Sequence, residues 1–77
     1  MAQIDFNNIS KIEKERNLVH EKVQATYSVF ENDGKKYLQI DTYGSSSRKI
    51  PEKISQSFQL DKDDAKILID LLIHEVL

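Results

Sequence analysis

On either side of Asn32-Asp33-Gly34-Lys35, apolar and polar residues alternate with a period of two, the pattern of two strands joined by a tight turn. Asp-Gly suits a two-residue hairpin turn, because glycine accepts the positive φ such a turn needs. With Asp33 and Gly34 at the tip, Phe30 faces Tyr37, Val29 faces Leu38, Ser28 faces Gln39, Tyr27 faces Ile40 and Thr26 faces Asp41. Each pair puts like beside like, and a one-residue slip would destroy that agreement. The inner face of the first strand is expected to carry Val19, Val23, Ala25, Tyr27 and Val29, and that of the second Leu38, Ile40 and Thr42. A third strand is expected over 54–60, with Ile54, Phe58 and Leu60 inward and Gln56 as the exception. The intervening 44–53 is polar, basic and broken by Pro51, and reads as a loop or irregular edge segment.

After Leu60 the period changes. Asp61 stands where a helix N-cap belongs, and Asp63 and Asp64 add negative charge to the first turn, where the helix dipole favours it. Ala65, Leu68, Ile69, Leu72 and Val76 form one stripe at helical spacing, which Ile67, Leu71 and Ile73 widen beyond what a single small sheet can cover. The surplus predicts a dimer interface at Ile67, Leu71 and Ile73, unless the N-terminal segment covers it. Ile9 and Ile12 also lie at helical spacing, and a short helix capped by Asp5 is expected over about residues 6–16. The chain therefore reads as a single α+β domain. An N-terminal segment (1–17) precedes a small antiparallel sheet (18–60) packed by a C-terminal amphipathic helix (61–77).

Composition fits this reading. At 77 residues, 39% apolar and 31% charged, the chain has room for one modest core and is not of disordered composition. No cysteine is present to form a disulfide, so oligomerisation is the remaining source of extra stability. No apolar run reaches membrane-spanning length and Met1-Ala2-Gln3-Ile4-Asp5 lacks the blocks of a signal peptide, which predicts a cytoplasmic protein with no membrane partner.

Net charge is −2, unlike a generic polyanion binder, but it is unevenly spread. Lys22, Lys35, Lys36, Arg48, Lys49 and Lys53 outnumber Glu31, Asp33, Asp41 and Glu52 in the middle of the chain. In the tail, Asp61, Asp63, Asp64, Asp70 and Glu75 outnumber Lys62 and Lys66.

Little in the sequence points to catalysis. The two glycines, Gly34 and Gly44, sit at strand ends and form no phosphate-binding loop, and there is no Gly-x-Ser-x-Gly elbow. His20 and His74 are far apart, and Asp61, Asp63 and Asp64 are explained by helix capping. The expectation is a protein that is not an enzyme and carries no metal or cofactor.

The outer sheet face is more informative. It is expected to carry Lys22, Gln24, Thr26, Ser28 and Phe30, then Tyr37, Gln39, Asp41 and Tyr43, then Ser55, Ser57 and Gln59. Only Lys22 and Asp41 are charged, whereas a merely solvated face is rich in Lys, Glu and Arg. Phe30, Tyr37 and Tyr43 can stack on bases, while Gln24, Gln39 and Gln59 can hydrogen-bond base edges. Lys22, Lys35, Lys36, Arg48, Lys49 and Lys53 can meet phosphates. The same polar face could equally dock a protein partner as part of a small regulatory module.

The stretch 36–43, the basic segment 48–53, and Phe58-Gln59-Leu60-Asp61 running into a helix resemble the single-stranded-DNA-binding fold of the transcriptional coactivator PC4 and its small bacterial relatives. The likeness covers roughly residues 23–77 and is mainly one of topology. It implies a homodimer formed through the C-terminal helix that grips unpaired DNA or RNA on curved sheet surfaces, with a role in transcription or DNA maintenance. Tyr37 and Tyr43 match that family's aromatic positions, and Lys49 and Lys53 its basic loop. Gln56 and Ser57 stand where the family tends to place a basic residue and a glycine.

Overall fold

The computed structural model describes residues 1–44 and 53–77. Among the described residues, a four-stranded mixed sheet is packed on one side by a single helix. The strands are β1 (Ala2–Gln3), β2 (Ala25–Asn32), β3 (Lys35–Tyr43) and β4 (Ile54–Asp61), and the helix is α1 (Lys62–Glu75). Their order across the sheet is β1-β4-β3-β2. The hairpin register is the one expected, from Thr26 opposite Asp41 through to Phe30 opposite Tyr37. Asp33 and Gly34 both have positive φ, 52° and 78°, as a type I′ turn requires. Space is not the constraint at Gly34, since a Cβ there would meet nothing within 4 Å.

β4 pairs antiparallel with β3, placing Leu38 beside Leu60, Gln39 beside Gln59, Ile40 beside Phe58 and Asp41 beside Ser57. The register then shifts between Thr42 and Tyr43, so that Ile54 lies opposite Tyr43. A bulge of this kind re-aims the side chains beyond it. Ile54, expected to face inward, is 46% exposed, and Ser55 is the extra residue left without an opposite number. Three further expectations are corrected. β1 adds a fourth strand and runs parallel to β4, pairing Ala2 with Phe58 and Gln3 with Gln59, which makes the sheet mixed. β2 begins at Ala25, so Val19 and Val23 lie outside the sheet. Only a single 3-10 turn, Phe6–Asn8, forms where a helix over 6–16 was expected. Asp5 does cap that turn, accepting from the Asn7 amide at 3.0 Å.

The helix begins as predicted. The Asp61 side chain accepts from the Asp64 amide at 2.9 Å, satisfying one of the free donors of the first turn. Asp64 has a second use that its sequence position does not suggest. It is buried and accepts from the Phe6 amide at 3.0 Å, tying the N-terminal turn to the helix. Phe6 and Leu60, at 6% and 2% exposure, are the buried apolar residues among those described. Ala65 stands near Val29, Leu38 and Leu60 around a shallow groove, which puts α1 on the apolar face of the sheet.

The helix's apolar residues divide differently from the expectation. Ile67, Leu68 and Leu71 are half-buried against the chain itself, with Leu71 lining a groove with Ile9 and Ile12. Ile69, Leu72, Ile73 and Val76 are exposed. Of the residues assigned to a dimer interface, Ile67 and Leu71 are thus partly covered in cis, while Ile73 is free. Among the described residues, no helix is long and apolar enough to cross a membrane.

Leu60 touches both the sheet and the helix start, so Leu60→Ala should open a cavity at the centre of the core. The expected loss is about 2–5 kcal/mol of unfolding free energy, measured by urea denaturation. A loss below about 1 kcal/mol would show that this contact does not anchor the helix to the sheet.

Candidate nucleic-acid interface

The face opposite α1 is fixed by alternation along β2, β3 and β4. It carries Thr26, Ser28 and Phe30, then Lys35, Tyr37, Gln39, Asp41 and Tyr43, then Ser57 and Gln59. Tyr37 and Tyr43 are six residues apart on β3, so this surface runs about 20 Å along the strand.

At one end the Phe30 and Tyr37 rings stack, with centroids 5.4 Å apart and planes 14° from parallel. They are cross-strand neighbours, the arrangement in which aromatic pairs stabilise a sheet. At the other end the Tyr43 hydroxyl hydrogen-bonds the Thr26 hydroxyl at 3.1 Å. Between them a side-chain ladder crosses the strands. The Gln59 amide Nε2 donates to Gln39 Oε1 at 2.8 Å, and Gln39 Nε2 donates to Asp41 Oδ1 at 3.0 Å. Ser57, itself buried, donates its hydroxyl to the same Asp41 oxygen.

The charge on Asp41 fixes the direction of this ladder. An ionised carboxylate only accepts, so Gln39 must turn its NH₂ toward Asp41. Its carbonyl oxygen then points to Gln59, which must answer with its own NH₂. The hydrogen bonds from Ser57 and then Gln39 hold the Asp41 carboxyl below the usual aspartate range, against a smaller opposing effect of desolvation. Each glutamine keeps a second N–H. Among the described residues, Gln59 Oε1 and Asp41 Oδ2 have no hydrogen-bond partner. The centre of the face therefore offers both donors and acceptors in fixed positions.

The expected phosphate-binding residues are scattered around this track. Lys35 lies on the track face at the hairpin end and acts electrostatically on Asp61. Lys36 lies opposite Glu31 and, by alternation, shares the other face with Leu38, lining the groove near Ala65. Lys53 immediately precedes β4, at the Tyr43 end. Lys22 precedes β2, and Gln24 continues its pairing through its carbonyl, which accepts from the Tyr43 amide at 2.9 Å. Arg48 and Lys49 lie outside the described residues.

Sequence reasoning missed the role of Ser57. The available signal was register: once Leu38 is set beside Leu60, Ser57 falls opposite Asp41. Among the described residues, no group of three or more His, Cys, Asp or Glu is placed to hold a metal ion. No family model matches the sequence, and neither a curated protein nor a solved structure matches it significantly.

Asp61 is also held below the usual carboxyl range, chiefly by the Asp64 amide and in part by the nearby Lys35 charge. Both carboxyls bind protons more tightly in the unfolded chain than in the folded one. Their contribution to stability is therefore complete well above the ordinary value of 3.8 and is lost as pH falls through their depressed folded values. Ser57→Ala should raise the Asp41 pKa toward its ordinary value, as read by NMR titration of the side-chain carboxyl carbon. An unchanged titration would rule out the Ser57 hydrogen bond as the main cause of the depression.

Proposed function

We propose that this chain is a non-catalytic single-stranded nucleic-acid-binding module that acts as a homodimer in the cytoplasm. The observation that carries the reading is the composition of the sheet face. Aromatic rings stand at both ends of a track about 20 Å long, and an amide–carboxylate ladder of fixed polarity lies between them. Every base has a π-face, so stacking on Phe30, Tyr37 and Tyr43 would tolerate any sequence, while Gln39 and Gln59 would meet base edges. Lys35 and Lys53 flank the track at opposite ends and would neutralise phosphates, joined by Lys22, Arg48 and Lys49. Lys36, on the other face, is a weaker candidate.

The homodimer reading is supported by the exposed stripe Ile69, Leu72, Ile73 and Val76 on α1. The resemblance of the sequence to the PC4 fold implies both parts and a role in transcription or DNA maintenance. One observation favours a second reading, a regulatory module that docks a protein: the ionised Asp41 at the centre of the face repels a phosphate backbone and suits a cationic side chain.

Fluorescence anisotropy with labelled single strands separates the two. Binding should weaken as salt rises, with a log–log slope of about −0.7 per phosphate contacted. Phe30→Ala or Tyr43→Ala should each weaken it by about 1–3 kcal/mol. No binding to single strands at low ionic strength would remove the nucleic-acid reading and leave the protein-docking one.

A further inference from the structure

We infer that the polar track prefers guanine among the bases of a single strand, because a guanine stacked on Tyr43 turns two adjacent N–H donors toward the outer oxygen of Asp41. The inference rests on the nucleic-acid part of the reading above and is independent of the homodimer part.

The two oxygens of Asp41 are used unequally. Oδ1 accepts from both Ser57 and Gln39, which occupies its two lone pairs. Among the described residues, Oδ2 has no hydrogen-bond partner and Asp41 takes part in no ion pair. The carboxylate is therefore held by one oxygen and presents the other, charged and with both lone pairs available. Its immediate neighbour has fixed polarity. Gln39 spends one N–H on Oδ1 and its carbonyl oxygen on Gln59, so what it has left to offer a ligand is its second N–H.

An aromatic ring stands next to this pair. Tyr43 follows Asp41 by two residues on the same face of β3, about 7 Å along the strand. Its hydroxyl is tied at 3.1 Å to that of Thr26, the residue directly opposite Asp41 on β2. The ring is thus anchored beside the carboxylate, and a base lying on it brings an edge to Asp41 while its face is covered by the tyrosine.

The chemistry of the four edges separates the bases. In a single strand the Watson–Crick edge is open to readout. A charged acceptor with two lone pairs favours two donors side by side, and guanine has them in N1–H and its 2-amino group. The guanine O6 acceptor follows on the same edge and suits the remaining N–H of Gln39. Thymine and uracil have one N–H set between two carbonyl oxygens. Adenine and cytosine place a ring-nitrogen lone pair beside their amino group. Each of these three patterns brings an acceptor toward an anion. A phosphate meets the same repulsion, so the strand's backbone is directed outward to the flanking lysines and its bases inward.

The test is fluorescence anisotropy on the full chain with short oligothymidine strands bearing one central guanine, inosine, adenine or cytosine, in lithium buffer to suppress guanine quadruplexes. The guanine strand should bind about tenfold more tightly than oligothymidine. Inosine lacks the 2-amino group and should lose most of that gain. Asp41→Asn retains an oxygen for Ser57 and Gln39 and puts an NH₂ donor in place of Oδ2. It should abolish the preference for guanine while oligothymidine binds as well as before or better, since a negative charge has been removed. A change in general electrostatics or a loss of fold would not give that pair of results. Equal affinity for all the strands, full retention of the gain by inosine, or a preference that survives in Asp41→Asn would overturn the guanine inference and leave the single-strand reading standing. Absence of binding to every strand at low ionic strength would overturn both.

Discussion

The turn at Asp33-Gly34 sets the register of β2 against β3, and every surface in the molecule depends on that register. Side chains alternate along a strand, so one choice of turn decides two faces at once. Tyr27, Val29, Leu38 and Ile40 fall on the side that meets the helix. Ser28, Phe30, Tyr37, Gln39 and Asp41 fall on the other. β4 then copies the alternation, because Leu60 lies beside Leu38 and Gln59 beside Gln39. A shift of one residue in the hairpin would bury the glutamines and expose the leucines.

Within the polar face a single charge plays the same organising part. Glutamine can present either end of its amide, so a row of amides alone would have two arrangements of similar energy. The Asp41 carboxylate removes that degeneracy, because it accepts from Gln39 and Ser57 and cannot donate. Through one of its two oxygens the carboxylate thus holds its neighbours in place. The core and the polar face occupy opposite sides of the sheet, since Leu60 lies on the helix side.

The local features were legible in the sequence. Alternation and Asp-Gly fixed the hairpin to the residue, and Asp61 marked the helix start, because both signals lie within a few residues of the structure they specify. What was not legible depends on distant contacts. Ala2 and Gln3 become a strand only because β4 offers an edge. Asp64 looks like a dipole residue until Phe6 is brought to it. The good helix formers of residues 10–16 do not form a helix, since isolated helices of that length are marginal in water and no packing surface of this chain rescues them. The bulge that turns Ile54 out of the core leaves no trace in the period-two pattern. At the candidate site, the aromatic and amide residues were found from alternation alone. The separation of Lys35 from Lys36 onto opposite faces follows from the same rule, which charge counting overlooks.

The pairing of β1 with β4 has a thermodynamic consequence. Ala2 meets Phe58 and Phe6 meets Asp64, so the two ends of the chain are stitched together across nearly its full length. Closing a loop of that size costs about 2 kcal/mol more conformational entropy than closing a four-residue one, which the two-residue strand, the Ile4 amide on the Gln59 carbonyl, and the buried Phe6 with its amide on Asp64 must offset. The hairpin has no such debt. Stability is therefore graded along the sheet, with the β2–β3 pairing as the persistent unit and the N-terminal strand as the element that opens first.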